Sequence, residues 1–103
     1  MNNFHLCPRF EKAFGLLGKK WNGLIIRVLL EGPKRFTDIR SLIPELSDRM
    51  LTERFKELEC EGIIKRNVYP ETPVRIEYEL TDKGRDLKFS MEEIQRWAEK
   101  WVK

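Results

Sequence analysis

The apolar period of this chain changes twice, and few folds accommodate both changes. From Pro8 to Gly62 apolar residues recur at helical spacing. In "VRIEYEL", Val74, Ile76, Tyr78 and Leu80 alternate strictly with Arg75, Glu77 and Glu79, and from Asp82 onward the helical spacing returns. A period of 3.6 buries one stripe of a helix, and a period of 2 buries one face of a strand. The pattern therefore describes a mainly helical α+β chain with one small sheet inserted before its last helix. At 103 residues it has the length of a single domain with one core, 1–103.

Pro8 suits a first helical position, where its missing N–H leaves nothing unpaired. Phe10, Ala13, Phe14 and Leu17 continue that first helix to Gly18. In the second, Trp21, Leu24, Ile25, Val28 and Leu29 form a broad stripe that Gly32-Pro33 ends. A short third helix is expected from Thr37 as N-cap to just before Pro44. Ser47 then caps a fourth, with Leu51, Phe55 and Leu58 inward and Gly62 as the residue past its end. The third and fourth helices, about 36–62, read as a helix-turn-helix. "IIKRNVY" and "VRIEYEL", joined by "PETP", make a hairpin over about 63–80. Thr81 caps a last helix over about 82–103, with Leu87, Met91, Ile94, Trp97, Ala98 and Trp101 on one stripe. Helix, helix, helix-turn-helix and hairpin is the order of a winged-helix domain. A domain this small has little left to cover two tryptophans on one helix, which marks that stripe as a partner surface.

Other classes are set aside by what the chain lacks. No window approaches 18 apolar residues, and "MNNFHLCPRF" has no apolar stretch of the signal-peptide kind, so a cytoplasmic protein without a membrane partner is expected. One histidine and two distant cysteines do not make zinc-ligand spacing, and no metal or cofactor is expected. Residues 1–40 carry eight Lys/Arg against three Asp/Glu, and 41–62 carry three against six. A basic first third suits a nucleic acid, although an ordinary solvated surface fits the charge equally well.

With Leu51, Phe55 and Leu58 inward, the fourth helix turns Arg49, Thr52, Glu53 and Lys56 outward near its N-terminal end, where recognition helices meet base edges. Arg49 can reach guanine O6 and N7, Thr52 a thymine methyl or a phosphate, and Lys56 a phosphate, with Ser47 at the helix start. Arg75 on the hairpin, with Lys65 or Arg66, and Lys34 and Arg35 before the third helix are further candidates for backbone contacts. A plain core-packing helix with a solvated face is the alternative.

Cys7 precedes a proline, so it should leave the helical region and occupy the N-cap. The helix dipole and free N–H groups there favour a thiolate, and Arg9 and Lys12 add positive charge. Such a thiolate attacks Michael acceptors such as quinones. A buried, inert small residue is the competing reading for Cys7. For Cys60, at a helix C-terminus beside the core, structural filler is the preferred one.

"LLGKKWNGLIIRVLLEGPKRFTDI", "SDRMLTERFKELECEGIIKR" and "YPETPVRIEYELTDKG", with the Cys-Pro start and the final Trp, resemble the HxlR-type winged-helix transcriptional regulators, relatives of the MarR group. The resemblance runs from about Cys7 to Trp101. "KKWNGLII" is most similar to the YodB/CatR/QsrR branch, thiol-based sensors of quinones and other electrophiles. The resemblance implies a homodimer held by its first and last helices, here through Phe10, Phe14, Leu87, Met91, Ile94, Trp97 and Trp101. It also implies a repressor on double-stranded, pseudo-palindromic operator DNA of detoxification genes such as quinone and azo-compound reductases and dioxygenases. The family's N-terminal cysteine matches Cys7, its site for a covalent quinone effector. Some relatives pair it with a cysteine near the C-terminus, where this sequence has Trp101-Val102-Lys103. Three other functions compete: a regulator answering a non-covalent aromatic ligand near Trp21, Phe14 and Phe10, a winged helix that binds protein, and a thiol enzyme using His5. The third is disfavoured, and no enzyme is expected.

Overall fold

The computed structural model describes residues 4–103. Six helices and a two-stranded antiparallel sheet follow in the order α1 (Pro8–Leu17), α2 (Asn22–Leu29), α3 (Phe36–Leu42), α4 (Asp48–Cys60), β1 (Ile64–Tyr69), β2 (Arg75–Leu80), α5 (Asp82–Arg85) and α6 (Lys88–Trp101). This is a winged helix-turn-helix flanked by two terminal helices. No helix among the described residues is long and apolar enough to cross a membrane.

The core forms where the helix-turn-helix meets the hairpin. Ile25, Ile26 and Leu29 of α2, Ile39 of α3, Leu51, Phe55 and Leu58 of α4, and Ile64 and Leu80 of the hairpin are all buried together. The inward stripe expected of α4 is the one observed. Phe55 stacks on Tyr78 of β2, ring centroids 3.9 Å apart, and meets the edge of Phe36 at 6.0 Å. The hairpin pairs Ile64 with Leu80 at its open end and Tyr69 with Arg75 beside the connecting loop. The backbone of Lys34 adds a third rung, donating to the Tyr78 carbonyl at 2.9 Å and accepting from its N–H at 2.8 Å. That bridge ties the entrance of α3 to the wing.

Four expectations need correction. First, α3 begins two residues early, at Phe36 with Arg35 rather than Thr37 as N-cap, because the Asp38 carboxylate accepts the Arg35 backbone N–H at 2.9 Å. Second, Leu24 and Val74 are more than half exposed. With Trp21 as N-cap of α2, the buried face runs through Ile25, Ile26 and Leu29 instead. Third, Arg75, Glu77 and Glu79 are half-buried rather than solvated, because they lie in ion pairs on the sheet. Fourth, Thr81 caps only the four-residue α5, accepting the Gly84 N–H, and the long α6 starts at Lys88. The Leu87 N–H bonds back to the Gly84 carbonyl, a tight turn that separates the two helices. Gly84 lies so close to the Ile63 carbonyl that a Cβ there would collide with it.

Phe55 is 2% exposed and touches both the helix-turn-helix and the wing. Phe55→Ala should therefore lower stability by about 3–5 kcal/mol, measured as a shift of the urea midpoint at unchanged slope.

Candidate nucleic-acid interface and thiol site

The start of α4 is fixed from two sides. The Ser47 hydroxyl accepts the Met50 N–H at 3.1 Å. From α3, the Arg40 guanidinium donates to the Leu46 carbonyl and the Asp48 carboxylate. Arg40 is thus the clamp of the helix-turn-helix angle, and the sequence reading missed it. Nothing in the sequence distinguishes it from a surface arginine. Arg49, Thr52, Glu53 and Lys56 are all exposed on the outer face, and the Arg49 side chain, at 91% exposure, lies 3.7 Å from Glu53. The Thr52 hydroxyl donates to the Asp48 carbonyl at 2.8 Å. The hydroxyls of Ser47 and Thr52 therefore already have partners within α4.

The wing arginine is less free than its sequence suggests. Arg75 donates to Glu71 at 3.0 Å and Glu77 at 2.6 Å, and its guanidinium lies 4.0 Å from the centroid of the Tyr69 ring. Its hydrogen bonds to Glu71, then to Glu77, hold it firmly in the charged form. The same bond from Arg75 holds the Glu71 carboxyl below the usual carboxylate range. Lys34 is three-quarters covered and lies 3.8 Å from Glu31, whereas Arg35 and Arg66 are exposed. Lys65 pairs with Glu79 at 3.3 Å.

Cys7 is the N-cap of α1. Its backbone is extended, with φ −75° and ψ 121°, and its carbonyl accepts the Glu11 N–H at 3.1 Å. Its thiol is exposed, as are Arg9 and Lys12, so Cys7 is not buried in the core of its own chain. Cys60 is also exposed and so is not core filler. Helix α1 has no buried residue. Phe10 and Phe14, one turn apart with rings 4.9 Å from each other, are 59% and 55% exposed. On α6, Ile94, Trp97 and Trp101 are similarly exposed. Leu87 and Met91, expected at the same partner surface, pack instead against the chain's own core, because the α5–α6 turn carries the first part of the stripe inward.

Two features near α1 escaped the sequence reading. Asn22 is fully buried, and its amide donates to the Leu16 carbonyl of α1 at 2.9 Å and to Glu57 of α4 at 2.8 Å. Glu57 also accepts from Lys19 at 2.6 Å. The legible signal was a single polar residue in the apolar run "WNGLII". Just before it, Trp21 has φ 82°, a left-handed conformation costing about 1–2 kcal/mol for a residue with a Cβ. The second feature is a groove of about 790 Å³ lined by Arg9, Lys12, Ala13 and Leu16 of α1, by Glu57, Glu61 and Ile63, and by Lys83 and Leu87. Trp21, Phe10 and Phe14 do not line it.

The family model of HxlR-like helix-turn-helix proteins matches residues 16–103. YvaP, an uncharacterized HTH-type transcriptional regulator of Bacillus subtilis (strain 168), is 55% identical over 102 residues, 99% of this chain and 94% of its own length. The HTH-type transcriptional regulator YodB of the same strain is 54% identical over 96 residues, 93% of this chain and 86% of its own. The reduced form of YodB from B. subtilis superposes with a TM-score of 0.85 at 52% identity, covering 96% of this chain and 97% of that one. Quinone-bound YodB superposes at 0.81 with 49% identity, covering 93% and 100%. The redox regulator HypR in its oxidized form superposes at 0.87 with 36% identity, covering 94% and 99%.

Hydrogen bonds from Asn22 and then Lys19 hold the Glu57 carboxyl below the usual carboxylate range. A carboxyl whose folded-state pKa is depressed contributes stability above its unfolded value and loses it as pH falls through the folded one. Melting temperature should therefore fall between pH 7 and pH 4 by more in the parent than in Glu57→Gln, as followed by circular dichroism.

Proposed function

Because the chain belongs to the HxlR-like helix-turn-helix family of transcriptional regulators, we propose that it is a dimeric, DNA-binding repressor released from its operator by covalent modification of Cys7. The observation that carries this reading is the exposed Cys7 thiol at the N-cap of a helix that buries none of its own residues. A helix of that kind needs a partner surface, and the exposed Ile94, Trp97 and Trp101 of α6 supply the apolar area for one. A second copy of the chain, packing its own α1 and α6 there, produces a two-fold dimer. The quinone-bound and reduced forms of YodB support an electrophile as the effector. The regulated genes on this reading are those of electrophile detoxification, such as quinone and azo-compound reductases and dioxygenases.

In the proposed mode the two α4 helices enter successive major grooves of a pseudo-palindrome, roughly 34–36 Å apart. Arg49 and Thr52 face base edges, with Ser47 at the helix start, while Lys56, Arg35 and Lys34 lie toward phosphates. Arg75 reaches DNA only if it leaves Glu71 and Glu77. In the chemical step the Cys7 thiolate adds to a ring carbon of the quinone. The ring electrons move onto one oxygen, which takes a proton, the attacked ring carbon loses its hydrogen as a proton and the second oxygen gains one, and an S-linked hydroquinone remains. The added volume lies at the α1 interface, and close-packed interfaces shift rather than absorb it. A change in the spacing of the two α4 helices then lowers affinity for fixed half-sites, and a few kcal/mol of differential affinity suffices for release.

In a gel shift with operator DNA and benzoquinone, Cys7→Ser should bind normally and stay bound, and Cys60→Ser should release like the parent. Release that survives in Cys7→Ser would point to a non-covalent ligand, for which the groove beside α1 has the size. Arg49→Ala should lose about 1–3 kcal/mol of operator affinity with relaxed preference at one base position per half-site. Lys34→Ala should weaken all sequences alike and flatten the dependence on salt.

A further inference from the structure

Helix α1, whose N-terminal end carries Cys7, is joined at its other end to the helix that faces DNA by one small polar cluster. Besides Leu16 and Leu17, which rest partly buried on the core, α1 is held to the domain by the bond from the buried Asn22 amide to the Leu16 carbonyl. The same amide donates to Glu57, in the last turn of α4, at 2.8 Å. Lys19, in the linker between α1 and α2, closes the cluster on Glu57 at 2.6 Å. Arg54 of α4 lies 3.8 Å from Glu57, and its buried Nε has no hydrogen-bond partner. The Asn22 Oδ1 is likewise buried without a partner. Apolar side chains let packed helices slide by small amounts, whereas a buried, directional hydrogen bond is either made or lost. One side-chain amide thus bonds both helices.

We propose that Asn22 and Glu57 form the joint through which a displacement of α1 is passed to α4, so that they are positioning residues for the recognition helix. The proposal rests on the reading of Cys7 as the modified thiol. It goes further in naming the route from that thiol to α4. When Cys7 is modified, α1 carries the Leu16 carbonyl with it. The Asn22 amide follows or breaks away, and in either case the Glu57 side of α4 is no longer held as before. Glu57 lies about two turns along α4 from Arg49, so the joint acts at a distance from the DNA-facing side chains.

The test uses full-length protein in a Cys60→Ser background, alkylated at Cys7 with N-ethylmaleimide and checked by intact mass. Amide hydrogen exchange of residues 51–60 and operator affinity are read before and after alkylation. In the parent, alkylation should change exchange in α4 by at least about threefold. In Glu57→Ala and Asn22→Ala that change should shrink to near onefold, with the adduct still formed. In Glu57→Gln, whose side-chain carbonyl can still accept from Asn22, the response should persist, which a general loss of stability would not reproduce. An unchanged response in Glu57→Ala, or no α4 response in the parent, would overturn the joint. An α4 response that depends on Glu57 while operator affinity stays constant would uphold the joint and remove the Cys7 release reading.

Discussion

The stacking of Phe55 on Tyr78 is the contact on which the rest of the architecture depends. It lies where α4 crosses β2, and through it the reading helix and the wing share one buried surface. Tyr78 is also the residue whose backbone pairs with Lys34, so the entrance of α3 is tied to the same strand position. Phe36, the first residue of α3, closes the group from the other side. Three segments that are distant in sequence are thereby fixed around two rings. Offset-stacked and edge-to-face aromatic contacts add specific geometry to ordinary area burial, and geometry is what a helix-turn-helix must preserve.

That contact explains which parts of the fold were legible in the sequence. The inward stripe Leu51, Phe55 and Leu58 was readable because helical periodicity alone fixes it, and Ser47 because an N-cap serine has a local role. The start of α3 and the break between α5 and α6 were misread because partners decide them: Asp38 reaching back to Arg35, and Gly84 packed against the Ile63 carbonyl. Leu87 and Met91 had the right period for a partner surface, but the tertiary turn at Gly84–Leu87 sent them into the core. Among candidate site residues, the exposure of Arg49, Thr52 and Lys56 followed from the stripe. The pairing of Arg75 with Glu71 and Glu77 did not, because charges alternating along a strand look like a solvated face until the hairpin folds back.

The terminal helices follow a different logic from the core. A helix with no buried residue and a pair of exposed phenylalanines in contact with each other gains little from its own domain. Its place is set by Leu16, Leu17 and the Asn22 bond at one end, and its other end carries the thiol. Such an element is drawn from the weakly held part of a structure, which is where moving parts of switches are found. The partner surface proposed for α1 and α6 supplies the burial that the single chain lacks. In a two-fold dimer each α1 would then be held mostly by the other copy. A change at Cys7 would act on the subunit interface before it acted on either domain.

The charge pattern of the wing bears on how binding and release could share one structure. Glu71 and Glu77 neutralise Arg75, and Glu79 pairs with Lys65. The hairpin therefore presents little net positive charge, although three of its residues are basic. In the proposed mode the electrostatic attraction for DNA falls mainly on Arg49, Lys56 and Arg35, which belong to the helix-turn-helix. Phosphate contacts of this kind depend on register with the duplex more than on reach. A protein whose cations cluster on one helix pair loses them together when that pair is displaced. A strongly cationic wing would hold the backbone through the same displacement. In the proposed mode the caged Arg75 suits a regulator that must let go, with binding concentrated in the element that the proposed joint of Glu57 and Asn22 connects to α1.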